Sequence, residues 1–257
     1  MSKKNVLAID FGTSRTKVAY FDELQNKPVL IEIGRNIRAM IPSAFYVPLP
    51  VDGKVVASEI LVGDEAENML DKDPDGYITS TKNEIHETDL KRLNGNREVD
   101  RIELVGAIFR YINDYVKSNV PYFADVEIDS CVLTVPASFS TTQREAICKA
   151  AELGNFRNVK IIEEPVAAAT MWFAKKHEVK VDVEYLVVCD IGGGSTNFAT
   201  VELRNGIFQL VQEIPTKCSN IGGDNLDDRI IARLKNTTDN NNRQNFEQSI
   251  YRSRYWR

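Results

Sequence analysis

The sequence predicts an α/β fold, and three observations carry that expectation. Short apolar runs of strand length alternate with stretches whose apolar residues recur at helical spacing. One strand–turn–strand unit occurs twice, its aspartate at Asp10 and again at Asp190. The 257 residues are 43% hydrophobic and 27% charged, the balance of a soluble globular chain with room for a sizeable core.

Residues 5–9 read as a buried strand and 16–21 as its antiparallel partner, joined by the polar turn Asp10-Phe11-Gly12-Thr13-Ser14-Arg15. Residues 36–100 are irregular and polar, and read as a smaller inserted lobe, with surface loops as the alternative. From Arg101 to Asn119, Val105, Ile108, Phe109, Ile112 and Val116 share one helical face. Residues 126–135 read as a strand stopped by Pro136. Thr141 to Leu153 reads as a helix with Ser140 as N-cap and Gly154 as stop signal. Val159 to Ile162 is a short strand, after which Pro165 opens an alanine-rich helix through Phe173.

The second copy of the unit pairs a strand at 185–189 with one at 197–201 around Asp190-Ile191-Gly192-Gly193-Gly194-Ser195-Thr196. Gly222-Gly223-Asp224 leads into a last helix with Leu226, Ile230, Ile231 and Leu234 on one face. After Lys235 the chain turns asparagine-rich and loses any apolar period, so 236–257 reads as a disordered tail. The expected division is therefore 1–183 as a first lobe, 184–235 as part of a second, and the tail.

Several function classes are disfavoured. A net charge of -5 argues against a general nucleic-acid binder. Cys131, Cys148, Cys189 and Cys218 have neither metal-ligand nor redox spacing, and two of them lie in apolar runs that suggest buried thiols. His86 and His177 are far apart in sequence. No apolar run approaches the roughly 20 residues of a membrane span, and the apolar stretch before Asp10 is too short for a signal peptide. The cytoplasm is the default compartment.

The repeated turns carry the chemistry. A nucleoside triphosphate needs backbone N–H donors at close range, a cation, and magnesium held by hard oxygens. Glycine admits the backbone to a phosphate, hydroxyls add donors, and an aspartate at a strand end suits the hydrated metal. A lone Gly-Gly-Gly-Ser is often only a loop; two such turns after apolar strands are harder to dismiss. There is no Gly-x-x-x-x-Gly-Lys-Ser/Thr and no Gly-x-Gly-x-x-Gly after a strand, which removes the P-loop and Rossmann readings.

The ordered set resembles the nucleotide-binding domain of the Hsp70 family, within the actin, Hsp70 and sugar-kinase superfamily. It comprises Ile9 to Ser14, Thr81-Lys82, Val135 to Phe139 with Gln143-Arg144, Glu163 to Ala169, Asp190 to Ser195, and Gly222 to Asp227. The resemblance implies an actin-like ATPase (ribonuclease H-like) fold with the first lobe complete and the second partial. It implies that Gly12, Thr13 and Ser14 cradle phosphates from one lobe, and Gly192, Gly193, Gly194 and Ser195 from the other, with Gly222 and Gly223 also in the nucleotide site. Asp10 and Asp190 would hold Mg2+ through water, and Lys82, Glu164, Asp190 and Ser195 would act on ATP. Pro136 and Arg144 would relay nucleotide state, ATP or ADP, towards a client-binding domain. Nucleotide, co-chaperones and client proteins are the implied partners; nucleic acid and membrane are not.

Bland readings stand beside these: a solvated Lys82, acids at a helix start for Glu163 and Glu164, a strand stop for Pro136, an exposed helix residue for Arg144. Asn197 stands where the family usually has aspartate, and Ser195 where it has threonine. The likeness is expected to stop near Leu234, so the chain reads as truncated, without the adenosine pocket and peptide-binding domain. Alternatives are a non-catalytic binding or interaction module, or fragment, with the same fold, and an actin-like filament protein; a sugar kinase is weaker still.

Overall fold

The computed structural model describes residues 6–34, 39–124, 126–175, 185–211, 217–219 and 221–237. The chain is mixed α/β. Strand β1 (Val6–Phe11) turns into β2 (Arg15–Asp22), which pairs with β3 (Lys27–Leu30) and β4 (Ile41–Pro42). Leu7, Ile9 and Phe11 of β1 are buried on one side, the period-2 pattern of a strand with one face on the core.

Residues 36–100 hold more than loops. β5 (Phe45–Tyr46) pairs with both β6 (Leu61–Val62) and β7 (Tyr77–Ile78), a short helix α1 (Asp64–Glu67) follows β6, and β8 (Lys91–Leu93) pairs with β9 (Arg97–Val99). Phe45, Val47, Val62, Ile78 and Ile85 are buried in the same apolar cluster as β1, so this segment shares the main core.

Helix α2 (Arg101–Asn119) starts at Asp100, whose carboxylate accepts from the amides of Ile102 and Glu103 at 2.7 and 3.1 Å. All five residues expected on its apolar face are buried, and Phe109 meets Phe11 edge to face at 5.6 Å. Strand β10 (Ser130–Val135) lies parallel to β1, and β11 (Asn158–Glu163) parallel to β10, completing the order β11-β10-β1-β2-β3 with β4 on β2. β10 begins later than the expected 126–135 because nearby carbonyls are engaged elsewhere. That of Ile128 accepts from Asn113, and that of Asp129 from the amides of Arg157 and Asn158. Between β10 and β11, α3 (Thr141–Leu153) opens on a reciprocal Ser140–Gln143 capping box and ends at Gly154, as its sequence signals predict.

Helix α4 (Glu164–Lys175) begins one residue before Pro165. It continues from β11 and buries Val166 and Ala169 against Val201 and Phe208 of a second sheet. That sheet runs β12 (Tyr185–Ile191), β13 (Thr196–Arg204), β14 (Ile207–Leu210), with β15 (Lys217–Ser219) also on β13. One face of β12 is covered, while Tyr185, Val187 and Ile191 are exposed. Helix α5 (Gly223–Thr237) likewise leaves Leu226, Ile230 and Leu234 exposed. Cys131 is buried, which pushes its thiol up to about 12, whereas Cys189, in an equally apolar run, faces outward with Tyr185 and Val187. Strand alternation, not local apolarity, separates these two cysteines. The tail at 238–257 lies outside the described residues.

Candidate functional site

The two repeated turns close in the same way. The amide of Gly12 donates to the carbonyl of Arg15 at 3.0 Å, and that of Gly192 to the carbonyl of Ser195 at 2.8 Å. In each case the flanking strands are antiparallel, so the turn projects its small residues beyond the sheet. The first turn is fixed further by Ser43, whose amide donates to the Ser14 carbonyl at 3.0 Å and whose hydroxyl lies 2.8 Å from that of Thr16.

The turns face one another at van der Waals range. A methyl group at Gly193 would lie 2.1 Å from the Ser14 hydroxyl, and one at Gly194 2.9 Å from the Thr13 methyl. The start of α5 packs against the second turn. Gly223 and Asp224 donate their amides to the carbonyls of Gly192 and Gly193 at 3.1 and 2.9 Å, and a methyl at Gly222 would lie 2.3 Å from the Gly193 carbonyl oxygen. Gly222 is capped in turn by the Asn225 side chain at 2.8 Å. Beside the turns opens a cleft of about 620 Å³ bordered by Ser14, Arg15, Glu67, Ser80, Gly193 and Asp224, where the Ser80 hydroxyl donates to the Asp224 carboxylate at 3.2 Å.

Lys82 is not a solvated lysine. It is 4% exposed, and its ammonium donates to Glu164 Oε1 at 2.6 Å. Burial pushes the Glu164 carboxyl above the usual range, the Lys82 charge offsets part of that, and Asp190 and Asp10 push it up further by repulsion. The ends of β1 and β12 thus bring Asp10 and Asp190 within electrostatic reach of Glu164 at the start of α4. Among the described residues no three His, Cys, Asp or Glu side chains are grouped as direct ligands of a metal ion.

Arg144 is half-buried, not an exposed helix residue. Its Nη1 pairs with Glu163 Oε1 at 2.9 Å and its Nε donates to the Phe139 carbonyl at 3.1 Å; the Phe139 amide donates to the carbonyl of buried Pro136 at 3.0 Å. Pro136 and Arg144 therefore sit at either side of one turn, adjoining Glu163 and so next to Glu164. Ser195 is partly exposed, and its hydroxyl lies 3.2 Å from Asn197 Nδ2. Asn197 is 8% exposed and its Oδ1 has no hydrogen-bond partner.

Sequence reasoning missed two contacts. Thr134 donates its hydroxyl to Asp10 Oδ1 at 2.8 Å. The signal was present: Ile9 pairs with Leu133 in the parallel ladder, so the next step along both strands sets a hydroxyl beside the aspartate. Gln143 both caps α3 and donates to the Asn83 carbonyl at 3.2 Å, a contact between segments 60 residues apart that no local pattern encodes.

A family model described as Hsp70 protein matches residues 78–253, more than half of the chain. The chain belongs to the Hsp70 family. It is 30% identical over 234 residues to Chaperone protein DnaK of Mycoplasmopsis agalactiae, covering 91% of this chain and 36% of that protein. It is 31% identical over 252 residues to Chaperone protein DnaK of Mycoplasmopsis pulmonis, covering 97% and 38%. With Chaperone protein HscA of Buchnera aphidicola it shares 28% identity over 281 residues, covering 97% and 41%. This Hsp70 chain thus spans about two-fifths of the length of the relatives it matches. The Hsp70 match continues to residue 253, so the likeness does not stop near Leu234 as expected. Among the described residues no helix is long and apolar enough to cross a membrane.

Proposed function

We propose that this chain binds the phosphates of ATP or ADP and carries the hydrolytic residues of an Hsp70 chaperone ATPase. The fold would be actin-like, with residues 1–183 as a first lobe and 184–235 as part of a second. The observation that carries the reading is the meeting of the two turns. Glycines sit where the turns touch, and Lys82, Asp190 and Asp10 each lie within electrostatic reach of Glu164. Amides and hydroxyls of Thr13 and Ser14, and of Gly193, Gly194 and Ser195, would take phosphate oxygens. Gly12 and Gly192, whose own amides close the two turns, would give the phosphates room to approach the backbone. Gly222 and Gly223 would brace the second turn. Lys82 would stabilise charge on the transferring phosphoryl group, and Glu164 would hold the ammonium in place.

The carboxylates suit magnesium chemically: burial raises the proton affinity of Glu164, repulsion from Asp190 and Asp10 adds to it, and a cation there would relieve that repulsion. Asp10 and Asp190 would hold it through its water shell, and the ion would neutralise charge on the phosphates. Coupling to client proteins and co-chaperones, and a cytoplasmic setting, are parts of the same proposal.

Calorimetry with ATP and magnesium, beside a turnover assay, tests it. Magnesium-dependent binding with turnover is expected; no binding at millimolar ATP would end the proposal. A second reading, binding without turnover, is favoured by Asn197, which supplies an amide where the family has a carboxylate; magnesium-dependent binding with no turnover would select it.

The pH dependence of turnover follows from Glu164. Its carboxyl has a folded-state pKa above the ordinary 4.5. If the charged form is needed to hold Lys82, turnover falls on acidification at a pH higher than an ordinary glutamate would give. The stability sign is opposite. The native state holds this proton more tightly than the unfolded state, so the group favours folding most at low pH. That contribution is lost as pH rises through the folded pKa. Glu164→Gln should remove both dependences; an unchanged acid limb in that variant would remove Glu164 from the role.

A further inference from the structure

The segment that carries Lys82 is fastened to the start of α2 by one buried guanidinium. Arg101, first residue of α2, is 7% exposed. Its Nη2 meets Glu87 Oε2 at 2.5 Å, its Nη1 donates to the backbone carbonyl of Asp89, and its Nε lies 3.6 Å from Glu84 Oε2. Lys91 binds the same Glu84 oxygen. Glu84 ends the single helical turn that Lys82 opens. One cation therefore collects three points of the 84–89 stretch, the first of them two residues from Lys82.

The backbone hydrogen bonds of Glu84 and Glu87 close within this stretch, on the carbonyls of Thr81 and Glu84. They stiffen it but do not anchor it to the rest of the protein. Outward anchors are the buried Ile85, the Gln143 contact to the Asn83 carbonyl, the Lys91–Glu84 pair from β8, the Lys82–Glu164 pair itself and Arg101. Among the described residues, Arg101 alone joins the stretch to the rigid helix α2 through charge. Its forked guanidinium can serve several acceptors at fixed angles, which a lysine ammonium at the same place cannot.

We propose that Arg101 is a positioning residue: it touches neither Lys82 nor Glu164, but through Glu84, Glu87 and Asp89 it sets where the Lys82 ammonium sits. Its catalytic consequence rests on the ATPase reading above; its structural consequence does not. Misplacing a reacting group by about 1 Å can lower a rate by up to roughly a hundredfold.

The test uses the full chain with Arg101→Ala, Arg101→Lys and Glu87→Gln. Lys82 is labelled with an amine acylating reagent and the label is mapped by mass spectrometry, with exposed Lys17 and buried Cys131 as controls. In Arg101→Ala the Lys82 labelling rate should rise about tenfold or more, with Lys17 and Cys131 unchanged; Arg101→Lys and Glu87→Gln should give smaller rises. ATP turnover should fall by about tenfold or more with KM held within about twofold, and the loss should vanish when Lys82→Ala is already present. Lys82 labelling at the wild-type rate in all three variants would overturn the proposal whatever turnover does, as would an equal turnover loss with and without Lys82. If Arg101→Ala does not fold, Arg101→Lys and Glu87→Gln decide by the same labelling. Should Lys82→Ala leave turnover untouched, the ATPase reading falls and the labelling result still decides Arg101.

Discussion

Lys82→Ala is expected to lower ATP turnover by about a hundredfold or more while leaving magnesium-dependent binding within about tenfold. The side chain is 5% exposed and its ammonium is 2.6 Å from Glu164, so water does not screen the charge it would present to a phosphoryl group. In the proposed site phosphate grip would be shared among the amides of two turns, and removing one ammonium would leave those donors in place. Single-turnover kinetics beside calorimetry separates the two effects. A fall in affinity as large as the fall in rate would make Lys82 a binding residue and sink its catalytic role. The same substitution strands Glu164, 17% exposed, without its cation. Breaking a buried pair costs about 3–5 kcal/mol when the remaining charge has no partner. Here the remaining group can take up a proton, because burial, with repulsion from Asp190 and Asp10 added, already presses its affinity upward. The melting temperature of Lys82→Ala should therefore drop most at alkaline pH and least in mild acid. A Lys82→Met, Glu164→Gln pair, with both charges gone, should recover much of it. An equal drop at every pH would mean that Glu164 is not the group responding.

What the sequence made legible follows from where its signals are local. Ser140 caps α3 within three residues, and that helix begins where it predicts; α2 spans the Arg101–Asn119 that its apolar spacing predicts. The Asp-x-Gly turns close on contacts three residues apart, and both were visible. Lys82 was not legible in the same sense: its polar neighbours suggest solvent, and only Glu164, 82 residues on, explains its burial. Arg144 reads locally as a surface residue until β11 presents Glu163 to it. Residues 36–100 looked irregular because their strands are two or three residues long, too short for a period to show, yet their apolar side chains reach the shared core. Cys189 misled because its run is apolar on both faces while only one face of β12 is covered. Family likeness, not periodicity, is what ordered the distant residues into one site.

The glycines where the turns meet should divide by what they touch. None of Gly193, Gly194 or Gly222 has φ in the left-handed region, so alanine meets collision there and not backbone strain. At Gly222 the nearest atoms are the Gly193 carbonyl oxygen and carbon at 2.3 and 2.6 Å and the Gly192 oxygen at 2.7 Å. All are backbone, and no rotamer can yield. Gly222→Ala must push α5 away from the second turn and stretch the Gly223–Gly192 and Asp224–Gly193 hydrogen bonds. Overpacking of about 1–3 kcal/mol and two weakened bonds of about 1 kcal/mol each give a loss of several kcal/mol, with ATP binding lost as the turn shifts. At Gly193 the obstacle is the Ser14 hydroxyl at 2.1 Å, the tip of an exposed side chain, with its Cβ at 3.3 Å. Gly193→Ala should cost less, and Ser14→Ala should restore most of the melting temperature in the double variant. Thermal melts of the three proteins, with ATP calorimetry on each, read the contrast. If Gly222→Ala melts like the wild type, α5 does not brace the second turn. If Ser14→Ala gives Gly193→Ala no relief, the turns do not meet at Ser14, and the two-sided grip on one triphosphate loses its structural basis.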